Sequence, residues 1–155
     1  LDTLSALQEA GVDFEARMFS VGGHEALAAA IDTRELSERV SLREASMSAI
    51  LSEYSWADIS VVPTVWSEGT SLAAVESLCA GVPVITTPVG GLANVVVPKF
   101  NGDVVPPTAT SLAEALVSAS DKETYRTLRA NCISMRPSLG KARGAQGVRD
   151  FLFVG

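Results

Sequence analysis

The run Ile59-Ser60-Val61-Val62-Pro63-Thr64-Val65 is apolar on both faces of any strand it could form. A strand with no polar face has to be covered on both sides, which is the situation of a central strand in a parallel sheet. Pro63 cannot donate to a ladder, so this strand is short or ends near it. A helical segment, residues 71–80, follows directly, and a second strand is expected over 82–86. Two parallel strands joined by a crossover helix form the basic unit of an α/β fold.

The rest of the chain repeats the alternation. Apolar spacing predicts a first helix over 2–10, stopped by Gly11, then a strand within residues 12–22 that runs into Gly22-Gly23. HEALAAAIDT reads as an Ala-rich helix, RVSL (39–42) as a short strand, and the segment from Ser46 to about Asp58 as a helix with a Ser cap. Beyond residue 86 come a Gly-rich connection through Gly90-Gly91, a strand near 103–105, a helix over 111–120, and two closing helices near 123–135 and 139–153. This order specifies an open, mostly parallel sheet of the Rossmann-like kind, with helices on both faces. There is no repeat of fixed period.

Composition sets outer bounds. At 155 residues the chain is read as a single domain, residues 1–155, and its 47% hydrophobic content separates it from disordered chains. A net charge of −6 with no Lys/Arg cluster argues against nonspecific binding to nucleic acid or to an anionic membrane surface, and the apolar runs are too short to span a bilayer. Cys79 and Cys132 lack CxxC spacing and share the chain with one histidine, so they are expected to be reduced core residues and no metal cluster is expected. The N-terminus has neither the pattern of a signal peptide nor a starting Met, and the chain is read as a piece of something longer.

The chemistry is expected around SEGTSLAAVESLCAG, residues 67–81. In an open parallel sheet, ligands bind beyond the carboxyl ends of the strands, where loops lead into helix N-termini. Gly69 permits a tight turn there, Thr70 or Ser71 can cap the helix, and the first-turn amides with the helix dipole form an anion site that needs no basic side chain. Glu76 is the anomaly of the helix. Beside an apolar stripe, an unpaired carboxylate costs several kcal/mol. Its donors are either the hydroxyl pair of a ligand such as a ribose, or an Arg, backbone amides or solvent at the helix edge. Glu68 stands in the loop, as a ligand contact or an exposed carboxylate.

EGTSLAAVE, SLCAGVPVITTPVGG, NGDVVPP and SLAEAL, taken together and in this order, resemble the C-terminal half of the retaining GT-B glycosyltransferases, in particular the large family-four group. The likeness runs over about residues 4–120. It includes the family's Glu-x7-Glu motif at Glu68 and Glu76, the helix-to-strand passage Ala80-Gly81-Val82-Pro83-Val84-Ile85, the Gly90-Gly91 loop and the Asn101-Gly102 turn. The resemblance implies a domain that holds a nucleotide-diphosphate sugar without a metal or other cofactor. Glu76 would bind the ribose and Glu68, as the catalytic carboxylate, would lie near the transferred sugar. Amides of Thr70, Ser71 and Leu72 would cradle the diphosphate, with Gly69 also among the donor-binding residues, and Leu42-Arg43-Glu44 would meet the base.

The resemblance also implies what is absent: the first strand of the sheet, the Arg and Lys that neutralise the diphosphate, and the N-terminal domain that holds the acceptor. The full enzyme is expected to transfer a sugar, and this chain alone to be inactive. Its expected location is cytoplasmic, with any membrane association supplied by the absent domain. Two departures stand out: Thr70-Ser71 follows Glu68-Gly69 where the family often has Phe-Gly, and Ala93-Asn94 replaces the usual Pro-Glu. The alternatives are a nucleotide-binding module without transfer activity and a GT-B-shaped nucleotide-sugar epimerase, which fold likeness alone does not separate. His24 is expected to be a cap or surface residue, Trp56 and Trp66 to pack in the core or at its rim, and Ser77 and Cys79, with no His partner, to be structural.

Overall fold

The computed structural model describes residues 1–20, 23–44, 50–66, 69 and 71–142. Along the chain, α1 (Asp2–Glu9), β1 (Ala16–Phe19), α2 (His24–Thr33) and β2 (Val40–Arg43) are followed by α3 (Ile50–Trp56), β3 (Ser60–Val62), α4 (Leu72–Ala80) and β4 (Val84–Thr86). A short 3-10 helix (Gly90–Asn94), β5 (Gly102–Val104), α5 (Ala109–Ser120) and α6 (Lys122–Ala142) complete the described chain. Every strand pairing is parallel.

The core follows from strand alternation. In β4, all of whose residues are buried, Val84 packs with Ala74, Val75, Leu78 and Cys79 of α4 and with Cys132 and Leu139 of α6. Ile85, one residue on, points to the opposite face, where it meets Leu112, Ala115 and Ala119 of α5 and Leu128 of α6. A strand sandwiched in this way needs apolar residues on both sides, which explains its sequence. A third cluster covers β1 and β2, with Ile31, Leu36 and Val40 at its centre and Leu4, Ala16, Met18 and Leu27 around it. Burying a side chain such as Leu78, fully enclosed here, stabilises the fold by about 2 kcal/mol.

Four details differ from the sequence expectations. The sheet occurs as two hydrogen-bonded ladders, β1–β2 and β3–β4–β5, because β1 and β3 do not pair with each other. Strand β1 is confined to four residues, since the ladder with β2 begins only where the Ala16 amide donates to the Arg39 carbonyl. The Gly90-Gly91 connection is wound into a 3-10 helix, with Gly90 at a positive φ of 58°.

The two closing helices are one, continuous from Lys122 to Ala142 with Pro137 inside it; residues 143–155 lie outside the described part. Proline normally breaks a helix by removing an amide and crowding the preceding turn. Here packing overrides that preference. Cys132 and Leu139, on either side of Pro137, are both anchored in the α4 core, and Arg136 donates to the Ala80 carbonyl at 2.7 Å, tying α6 to the end of α4.

Candidate functional site

The parallel strands direct their carboxyl ends toward the loops 63–71, 87–91 and 105–108, and α4 opens from the first of these. Ser71 occupies the N-cap position in extended conformation, but its side chain makes no capping bond to the helix amides. The expected side-chain cap at Ser71 is therefore absent. Ser71 is buried, at 3% exposure, and the alternative cap, Thr70, lies outside the described residues. The first regular helix bond runs from the Val75 amide to the Ser71 carbonyl at 3.2 Å, so the amides before it have no intrahelical acceptor. Leu72, the first residue of the helix, is exposed, which leaves this end accessible.

The loop ahead of α4 is pinned at both ends. Thr86 Oγ1 donates to the Val62 carbonyl at 2.8 Å, and Thr87 Oγ1 donates to the Thr64 carbonyl. Both threonines are fully buried, so their hydroxyls need these partners. At the far end, the Gly91 amide donates to the Gly69 carbonyl at 3.1 Å, joining the glycine pair to the turn that precedes the helix. Sequence reasoning missed the threonines; the available signal was a pair of hydroxyl residues closing an otherwise apolar strand.

Glu76 lies in the second turn of α4 and is half-buried. Tyr54 of α3 reaches it: the phenol oxygen is 3.2 Å from the Ala73 carbonyl and 3.4 Å from Glu76 Oε2. Burial, with the neighbouring carboxylate charge and the hydrogen bond to it, pushes the Tyr54 phenol well above its usual range, so it remains a protonated donor. Tyr54 is thus an internal donor to Glu76, of a residue type that the sequence reading did not name.

The other predicted residues fall as follows. Glu68 and Thr70 lie outside the described residues. Leu42 packs against the β1–β2 core and pairs with Met18 in the ladder, while Arg43 ends β2 exposed. His24 starts α2 with Nε2 3.2 Å from the Ser20 carbonyl and Nδ1 3.9 Å from Glu44 Oε1, linking the ends of β1 and β2. Trp56 is at the rim, stacked under the Arg17 guanidinium at 3.7 Å, while Arg17 also pairs with Glu53 at 2.8 Å. Trp66 departs from the packing expectation: it is 82% exposed on the loop after β3, where Pro63 has ended the strand before any neighbour can cover the ring. Ser77 is fully buried, bonded to Ser60 and the Val82 carbonyl, and both cysteines are buried thiols outside any disulfide.

Asn101-Gly102 belongs to the scaffold. The buried Asn101 side chain accepts from the Val97 amide at 2.7 Å and donates to the Val95 carbonyl at 3.0 Å, folding the segment between the 3-10 helix and β5. A cavity of about 310 Å³ is lined by Lys99, Asp103, Asp121 and Thr124 among others, between β5, α5 and α6. It includes neither α4 nor the loops at the carboxyl ends of the strands. Among the described residues no group of His, Cys, Asp and Glu could hold a metal ion, and no helix is long and apolar enough to cross a membrane.

Comparison with known proteins adds the following. A family model described as glycosyl transferases group 1 matches residues 1–122. No curated protein sequence matches the chain. Among solved structures, sucrose-phosphate synthase from Thermosynechococcus elongatus is similar at 25% identity and a TM-score of 0.79, over 99% of this chain and 42% of that one. The Anabaena protein HepE, solved in complex with UDP, is similar at 18% identity and a TM-score of 0.72, over 92% of this chain and 51% of that one. The C-terminal domain of a group 1 family glycosyl transferase, LpcC from Francisella tularensis, is similar at 19% identity and a TM-score of 0.73, over 94% of this chain and 77% of that one. The chain thus spans about half or less of the first two. The fold they share is GT-B, and the alignment falls on its Rossmann-like donor-binding half.

Proposed function

The chain belongs to the group 1 glycosyl transferases, and from that premise we propose that it is the part of a retaining enzyme that holds a nucleotide-diphosphate sugar. The observation that carries this reading is α4 itself. Its N-terminus has no side-chain cap from Ser71, and its second turn carries Glu76. Diphosphate and ribose are adjacent in a nucleotide, so one helix can bind both: the first-turn amides of Leu72 and its neighbours take the diphosphate, and Glu76 accepts from the ribose hydroxyls.

In the transfer step, negative charge accumulates on the departing nucleoside diphosphate as its bond to the sugar breaks. Amides already aimed at that position stabilise the charge without reorganising. The ties from Thr87 to Thr64 and from Gly91 to Gly69 hold the loop that presents them. Glu68, in that loop, is the carboxylate assigned to the transferred sugar, and Arg43 at the end of β2 is assigned to the base. The binding of UDP by HepE, as its structure is described, supports a uridine nucleotide as the first probe.

Titration of the isotopically labelled chain with UDP, followed by amide resonances, tests the assignment. Shifts concentrated at Gly69, Leu72 and Ala73 are expected. Shifts confined to the α5–α6 cavity would overturn it.

A further inference from the structure

We propose that Phe19 and Arg43 together select the nucleobase: Phe19 is a stacking platform, and Arg43 is a donor that favours an oxo base, uracil or guanine, over an amino base. This rests on the reading that α4 holds the diphosphate. Side chains alternate along a strand. Ala16, Met18, Val40 and Leu42 point into the core shared with α2, so Arg17, Phe19, Ser41 and Arg43 face the other way. Arg17 marks that side by reaching Glu53 and Trp56 of α3. Phe19 and Arg43 are the last residues of β1 and β2 and direct partners in the ladder. An aromatic ring and a guanidinium therefore stand side by side at the carboxyl ends of two parallel strands, the edge at which ligands of open α/β sheets bind.

Both are exposed, Phe19 at 41%. Phe19 belongs to none of the three buried clusters, and among the described residues Arg43 has no hydrogen-bond or ion-pair partner. The face is also the one on which α4 opens, since Tyr54 of α3 reaches the Ala73 carbonyl in the first turn of α4. A nucleotide whose diphosphate lies at that turn can lay its base across the ends of β1 and β2. Every base has a π-face, so stacking on Phe19 adds affinity without choosing among bases. The choice comes from Arg43. A guanidinium carries five N–H donors and no acceptor. Uracil O4 and guanine O6 accept from it, whereas cytosine and adenine present an exocyclic amine at the same place and donor meets donor. Glu53 and Glu44 do not reverse this: Glu53 is paired with Arg17, and Glu44 lies toward α2, 3.9 Å from His24 Nδ1.

The test titrates the wild-type chain, Arg43→Ala and Phe19→Ala with two matched pairs, UDP beside CDP and GDP beside ADP. The wild-type chain should bind UDP or GDP about tenfold or more tightly than its amino counterpart, as expected for a hydrogen bond from a charged donor. In Arg43→Ala that gap should close through loss of affinity for the oxo member, with the amino member unchanged, a pattern that general destabilisation would not give. Phe19→Ala should weaken both members by about fivefold or more and keep their ratio, and Phe19→Trp should restore them. Tighter binding of CDP or ADP, or a gap that survives in Arg43→Ala, would overturn the selection, and unchanged affinities in Phe19→Ala would overturn the platform. Nucleotides that shift the Leu72 amide but bind with equal affinity would sink this proposal alone. No binding of any nucleotide by the folded chain would overturn the diphosphate reading as well.

Discussion

Gly102 and Val84 face each other across the β4–β5 ladder so closely that a Cβ on Gly102 would overlap the Val84 carbonyl oxygen. The oxygen belongs to the backbone of a fully buried strand and cannot turn aside. Gly102→Ala is therefore expected to destabilise the chain by about 3 kcal/mol or more, at the upper end of overpacking effects. Chemical denaturation checks this, and a variant within 0.5 kcal/mol of the parent, roughly the scatter of harmless surface changes, would contradict it.

Asn101, the residue before it, is held by two backbone groups, and removing its side chain leaves both without their partner. Asn101→Ala should cost about 2–3 kcal/mol. Hydrogen exchange should show the loss most strongly at the Val97 amide.

These two residues also show how far the sequence could be read. Asn-Gly between apolar segments reads as a turn, and the turn is there, but burial of the Asn and the close approach of Val84 depend on a strand 18 positions earlier in the numbering (102 − 84). The alternation of helices and strands was legible because apolar periodicity is local. The Tyr54–Glu76 contact was not, since the two side chains are 22 positions apart on separate helices. At Pro137 a local rule gave the wrong break, because the core contacts of α6 outweigh the lost hydrogen bond. The exposure of Trp66 was illegible for the converse reason: an aromatic residue in an apolar stretch looks like core until the strand is seen to stop at Val62.

Burial governs the thiols. The Cys132 thiol is pushed up to about 11 by desolvation, and Cys79 is also buried. Since the thiolate is the reactive form, neither cysteine should react with a thiol reagent at neutral pH on the timescale at which an unfolded control reacts completely. Rapid modification of the native chain would contradict this placement.

Asp121 caps α6, accepting from the Glu123 and Thr124 amides and from the Thr124 hydroxyl. These bonds, those from Thr124 first, hold its carboxyl below the usual value of 3.8. A depressed folded-state value means that the contribution is complete above that ordinary value and disappears as pH falls through the lower, folded-state one. Asp121→Asn should keep a cap but lose this part of the acid dependence, visible as a shallower fall of Tm with acidification.

Trp66 and Trp56 should separate in fluorescence quenching. Acrylamide should reach Trp66, which stands 82% exposed, more readily than Trp56, 38% exposed beneath Arg17. Trp66→Phe should remove the more quenchable component, and equal quenching of the two would contradict the loop's placement.

The central claim is that α4 binds a nucleoside diphosphate through its first turn and Glu76, and calorimetric titration of the chain with UDP, GDP and ADP, beside Glu76→Ala, tests it most directly. The account predicts binding of one of the three, weakened about tenfold or more in the variant, the loss expected for a charged hydrogen-bond partner. Equal affinity in parent and variant, or no binding by a cooperatively folded chain, would contradict it.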